Sequence, residues 1–215
     1  IFFRKNNISL LPLYYLIGIY LTYIIFPEKI WQEKSLFQLW AHKEYFSEHF
    51  QFILYFSASI IAGLNIFKNK YNIFSWQNIN WLIFMFISFI ICFEEMSYLN
   101  DFSNEFFNFI RTNNTQKEVN IHNLKYFGNY LHSIFIVLNL FLGWFGWKYF
   151  SKIDATPKKR YSLYFLFCGL SYTIYELNLF LTSTELSGFH QEIYEFLMAL
   201  GLFLHSLKMF KTYIK

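Results

Sequence analysis

The stretch that decides the fold is "WLIFMFISFIICFEEMSYLN", Trp81–Asn100. From Trp81 to Phe93 it carries no charge, and then Glu94 and Glu95 arrive together. Such a run, without the alternation of a barrel strand, reads as a membrane-crossing helix. In lipid only helices and closed barrels satisfy every backbone polar group. The two carboxylates that close it pose the functional question, because each costs about 2.5–3.5 kcal/mol at membrane depth.

The rest of the chain repeats the pattern. Of 215 residues, 55% are hydrophobic and only 15% charged, against about 25% charged in an ordinary soluble domain. Mean hydropathy is +0.27. Six apolar runs predict spans at about 8–26, 50–67, 81–98, 126–149, 161–182 and 189–210. The expected fold class is therefore all-α: a polytopic integral membrane protein forming one transmembrane domain over 1–215. The first run lacks a small-residue cleavage site and is long enough to span, so it reads as a span rather than a signal peptide. Residues 28–47 set Trp31, Leu36, Leu39, Trp40 and Phe46 among charges. They read either as an interfacial amphipathic segment or as a polar connector. Residues 99–125 form a polar, Asn-rich outer loop, expected to contain a short helix.

Orientation follows from Lys and Arg. Twelve fall on the side that carries both termini and the second and fourth connections, and six on the other. The richer side is the cytoplasmic one, so both termini lie there. The expected location is a bacterial inner membrane, with an organelle membrane as the alternative. The net charge of +4 is spread over short loops, which gives no sign of a nucleic-acid partner. The expected partners are the lipid bilayer and further membrane subunits. Cys92 and Cys168 fall inside predicted spans and read as small buried hydrophobes. Trp76, Trp81, Trp144 and Trp147 read as the inner interface, and His205 as an interfacial histidine.

The acids segregate too. Thirteen of the fourteen fall on the outer side, Asp154 being the exception. Acids do little to set insertion orientation, so this split calls for another cause. Glu94 and Glu95 end the third span, and Glu48 begins the second. Glu176 lies in the outer half of the fifth, and His190 starts the sixth. Glu192 and Glu195, one helical turn apart, share a face. His122 precedes the fourth span and His132 lies inside it. Ionisable groups persist at membrane depth where they line a bundle interior, pair, or bind something. Carboxylates and imidazoles from several helices are ligands for zinc, iron or manganese. The candidate set is Glu94, Glu95 and His122 as catalytic groups, with Glu192 and Glu195 joining them as metal ligands. Glu48, Glu118, Asn120, Asn123, His132, Glu176 and His190 support them.

At these residues "FEEMSYLN" and "NNTQKEVNIHNL" resemble an uncharacterised family of polytopic bacterial membrane proteins. Its members carry an E-E-x-S-x-G-Q-R-like segment followed by N-x-Q-x-E-x-N-x-H-N. Glu94, Glu95 and Ser97 match the first part. Asn114, Gln116, Glu118, Asn120, His122 and Asn123 match the second. The chain departs at the G-Q-R element, where it has Leu99, Asn100 and Asp101. The resemblance implies a membrane topology and this residue set, and names no reaction. Intramembrane CAAX-type proteases carry EExxxR, and here Leu99 stands at the arginine position. Ceramidase-like hydrolases carry HxxxH, which this chain lacks.

Three readings follow. The first is a metal-dependent intramembrane enzyme acting on a lipid or lipid-linked substrate, with zinc, iron or manganese as cofactor. The second is a non-catalytic subunit of a larger membrane complex. The third is a cation-binding transporter, fed by the outer ring of acids.

Overall fold

The computed structural model describes residues 7–25, 46–94, 104–114, 128–176 and 184–214. Among them every element is helical and no strand occurs. In chain order the helices are α1 (Asn7–Ile25), α2 (Phe46–Lys68), α3 (Trp76–Glu94), α4 (Glu105–Asn113), α5 (Gly128–Leu140), α6 (Ser162–Glu176) and α7 (Thr184–Tyr213). A π-helical turn, Phe141–Gly146, and a last turn, Trp147–Tyr149, extend α5. Three segments are long and apolar enough to cross a membrane: Phe46–Lys68, Trp76–Glu94 and Gln191–Tyr213. Asn7–Thr22 and Ser133–Tyr149 are shorter apolar helices.

Helices α2 and α3 bury polar and small residues, against an apolar core supplied by α6 and α7 that includes Tyr164, Phe165, Ile193 and Leu197. The buried face of α2 includes Ser47, Glu48, Gln51, Ala58, Ala62 and Asn65, while Phe50, Ile53, Ile60 and Phe67 are exposed. In α3, Asn78, Trp81, Ser88 and Cys92 are buried, and Ile83, Phe86, Ile90 and Phe93 face out. A helix of a water-soluble protein puts its apolar stripe inward. Small and polar residues inside with large apolar ones outside suit helices that pack in lipid.

One register joins α2 to α7. Gln51 Nε2 donates 2.8 Å to Glu192 Oε2, and Asn65 Nδ2 donates 3.2 Å to the Ser206 carbonyl; both pairs are 141 positions apart. The two helices thus run parallel in step over fourteen residues, about 21 Å. Between the two clamps Ala58, Ala62 and Ala199 are fully buried and let the backbones approach. Helix α3 runs antiparallel to α2, with Cys92 Sγ on the Phe52 carbonyl at 3.7 Å and Ser59 Oγ on the Met85 carbonyl at 3.0 Å. Both cysteines are free and buried, as expected from their place in the apolar runs.

Glycines bring α5, α6 and α7 together. A Cβ on Gly143 would lie 2.7 Å from the Leu166 backbone nitrogen, and one on Gly169 would lie 2.9 Å from that of Leu140. Only the absence of side chains permits this reciprocal contact. The π turn holds Gly143 at its inner face, where it is buried. Gly201 makes the same allowance for Tyr164, whose Cβ would be 2.8 Å away. Helix α1 lies across α6 and α7. Pro12 lies inside it and has no N–H, so the Ile8 carbonyl loses its helical donor. The Tyr164 hydroxyl donates to that carbonyl at 2.9 Å. The Tyr20 and Tyr194 hydroxyls, 3.2 Å apart, fix the other end of α1. From these contacts α1, α2, α3, α5, α6 and α7 alternate in direction.

The bundle therefore has a basic end and an acidic end. At the basic end, Gln77 straps the 150–160 connection by accepting from the Asp154 N–H at 2.9 Å and donating to the Lys152 carbonyl. His205 bonds the Asp154 carbonyl through Nε2 at 3.0 Å. Tyr213 donates 2.9 Å to Asp154 Oδ2 and accepts from Trp81 Nε1 at 3.2 Å. Burial lowers the Lys158 ammonium below the usual lysine value, and Asp154, 3.8 Å away, works against that shift.

The structure corrects several expectations. His205 is not interfacial: it is fully buried, stacked on Trp81 at 5.9 Å with Tyr161 edge-on. Trp81 is likewise interior rather than a belt residue, whereas Trp76 and Trp144 are exposed. Helix α2 starts at Phe46, a turn ahead of the apolar run, so Glu48 lies in its first turn, as expected of a residue that begins the second span. Helix α3 starts at Trp76, earlier than the apolar run, because Asn78 is buried polar rather than loop. Inside the polar outer loop, α4 is capped by Asn104, which accepts from the Phe107 N–H at 2.9 Å. Most of residues 28–47 lie outside the described residues.

Candidate functional site

The acidic end is built from the first turns of α2, the start of α7 and the end of α6. Because α2 and α7 keep one register, the Ser47–Gln51 turn faces Glu192. Ser47 and Gln51 are fully buried, Glu48 is 7% exposed and Glu192 8%. Glu192 accepts from Gln51 Nε2 at 2.8 Å and from Ser47 Oγ at 3.4 Å. The same Gln51 nitrogen lies 3.4 Å from the Glu192 main-chain carbonyl. One turn on, Glu195 accepts from the Tyr172 hydroxyl of α6 and from Gln191 Nε2 at 3.1 Å. Gln51 Oε1 is buried and has no donor among the described residues.

These bonds orient two carboxylates with amide and hydroxyl donors from three helices. Two carboxylates held in this way can accept a proton or share a cation. Gln51 Oε1 adds a further unused acceptor beside it.

The structure brings together Glu48, Glu192 and Glu195 at one end of the α2–α7 pair. Glu94 ends α3 at the same end, because Cys92 is level with Phe52. Glu94, Glu192 and Glu195 do not converge into a metal site: among the described residues no three His, Cys, Asp or Glu side chains form a group that could hold an ion. Glu95, Glu118, Asn120, His122 and Asn123 lie outside the described residues. His132, Glu176 and His190 lie in α5, α6 and α7. The reading from sequence missed Ser47, Gln51, Tyr172 and Gln191, which are uncharged and so carry no obvious signal. A signal existed for α2: its polar and small residues recur every three or four positions through an otherwise apolar helix.

No family model, curated protein or solved structure matches this chain.

Proposed function

We propose that the chain is an integral membrane protein of six transmembrane helices with both termini in the cytoplasm. Its acidic end then lies at the outer level of the membrane. There it serves as an intramembrane enzyme on a lipid or lipid-linked substrate, with Glu192 and Glu195 holding or deprotonating the reacting group. Glu95 and His122 complete the site and, with Glu192 and Glu195, take a divalent metal, while Glu94 makes no three-ligand group with the two α7 acids.

The observation that supports this reading is the contrast between the two clamps on one helix pair. At the basic end an amide, Asn65, bonds a main-chain carbonyl, and that suffices to tether α2 to α7. At the acidic end the same register carries a buried carboxylate instead. Tethering does not need the charge, and the charge costs energy at that depth, so chemistry is the better reason for it.

Elemental analysis of the purified protein beside Glu192→Gln is the test. Glutamine keeps the shape and the Gln51 and Ser47 contacts, so the variant should fold. Near-stoichiometric zinc, iron or manganese in the parent, lost in Glu192→Gln, supports the enzyme. Metal-free protein with both forms folded moves the function to a second reading, a non-catalytic subunit of a membrane complex. The separation of Glu94 from a three-ligand group with Glu192 and Glu195 favours that second reading.

A further inference from the structure

The face of α5 turned away from the bundle carries an open groove of about 370 Å³, lined by Ser133, Ile134, Val137, Leu138 and Phe141. Ile134 and Val137 are 61% and 66% exposed. At steps of three and four residues the exposed stripe continues toward the basic end through Trp144, Phe145 and Lys148. The Lys159 ammonium lies 4.9 Å from the centre of the Trp147 ring. That contact holds a cation of the 150–160 connection against the last turn of α5, the turn that also carries Lys148. Lys148, Lys152 and Lys159 are all exposed. Asp154, the acid of that connection, is turned to Tyr213 and Lys158, so it does not neutralise them. The straps from Gln77, His205 and Tyr213 hold the connection in place.

An apolar groove that opens sideways and leads toward exposed cations at the basic end matches one class of partner. We propose that this face binds an anionic glycerophospholipid, with one acyl chain along Ser133–Phe141 and the phosphate between Lys148 and Lys159. Phe141 and Lys148 are separated by the π turn and the last turn of the helix, which leaves room for the glycerol between chain and phosphate. Charge complementarity selects the anionic headgroup, and Trp144 and Trp147 flank it at interfacial depth. The proposal rests on the membrane reading above, with the basic end at the cytoplasmic leaflet.

The test is native mass spectrometry of the detergent-solubilised protein offered equal phosphatidylglycerol and phosphatidylcholine. The parent should retain phosphatidylglycerol at least fivefold over phosphatidylcholine. Lys148→Gln/Lys159→Gln should bring the two to parity, and Val137→Trp, which fills the groove, should lower total lipid retained. Equal retention by the parent, or an unchanged preference in the double variant, overturns the proposal. Displacement of the lipid by excess glycerol phosphate, with Val137→Trp behaving as parent, overturns the acyl-groove assignment and leaves a phosphate site alone. Flotation with vesicles separates the two levels of inference. Protein that floats without the preference sinks only this proposal, whereas protein that does not float sinks the membrane reading and this proposal with it.

Discussion

The Tyr164 hydroxyl of α6 donates at 2.9 Å to the Ile8 carbonyl of α1, which Pro12 leaves without its helical donor. A break in one helix is thereby answered by its neighbour, as buried backbone in an apolar setting requires. Tyr164→Phe is expected to cost about 1–2 kcal/mol, since it leaves a carbonyl unsatisfied. In a Pro12→Ala background the Ile8 carbonyl regains an N–H, and the same substitution should cost less than half as much. Unfolding in mixed micelles, run as a double-mutant cycle, measures this coupling. Equal costs in both backgrounds would show that the hydroxyl is not compensating for the proline.

The two clamps of the α2–α7 pair should act independently, because they lie about 21 Å apart along rigid helices. Gln51→Leu and Asn65→Leu are each expected to cost about 0.6–1.7 kcal/mol, the range for hydrogen bonds between membrane helices. The double variant should show the sum to within about 0.5 kcal/mol. Glu192→Gln should cost less than Gln51→Leu, because it retains an acceptor for Gln51 Nε2. A cost for Glu192→Gln above that of Gln51→Leu would mean that the carboxylate charge holds the fold.

How far the sequence alone reached is clear from α2 and α7. Apolar runs announce helices because lipid-level backbone has no other open solution, and both helices extend past the predicted spans only at their polar ends. Which face turns inward was less legible. Hydropathy treats Gln51, Asn65 and His205 as interruptions, whereas packing makes them the interior. The shared register of α2 and α7 was out of reach, because it joins positions 141 apart whose amide partners carry no charge signal. Glu192 and Glu195 were legible as a pair from their spacing. Their donors Ser47, Tyr172 and Gln191 were not, since neutral polar residues are common at helix ends.

The glycine contacts between α5 and α6 leave no space for a methyl group. Gly143→Ala and Gly169→Ala would each push a Cβ to within 2.9 Å of backbone atoms. Each is expected to destabilise by about 1–3 kcal/mol, the usual cost of overpacking. Gly18→Ala is the control, because nothing lies within 4 Å of its added Cβ. That substitution should be neutral or stabilise by up to about 1 kcal/mol through helix propensity. Thermal unfolding in one detergent ranks all three, and a Gly143→Ala protein as stable as Gly18→Ala would contradict the close approach of the helices.

The strap at the basic end should govern how the 150–160 connection meets a protease. Its cleavable residues Lys152, Lys158, Lys159 and Arg160 lie in or beside a segment held by Gln77, His205 and Tyr213. Tyr213→Phe removes both the bond to Asp154 and the acceptor of Trp81 Nε1. It should speed tryptic cleavage here several-fold and shift Trp81 emission to the red. Gln77→Leu should speed cleavage without the spectral shift, because Gln77 bonds the connection and not the indole. Thr212→Ala, an exposed neighbour whose hydroxyl bonds only its own helix, should match the parent in both readouts. Cleavage unchanged in Tyr213→Phe and Gln77→Leu alike would mean that these bonds do not order the connection. The placing of Lys159 against the last turn of α5, on which the phosphate site depends, would then lose its support.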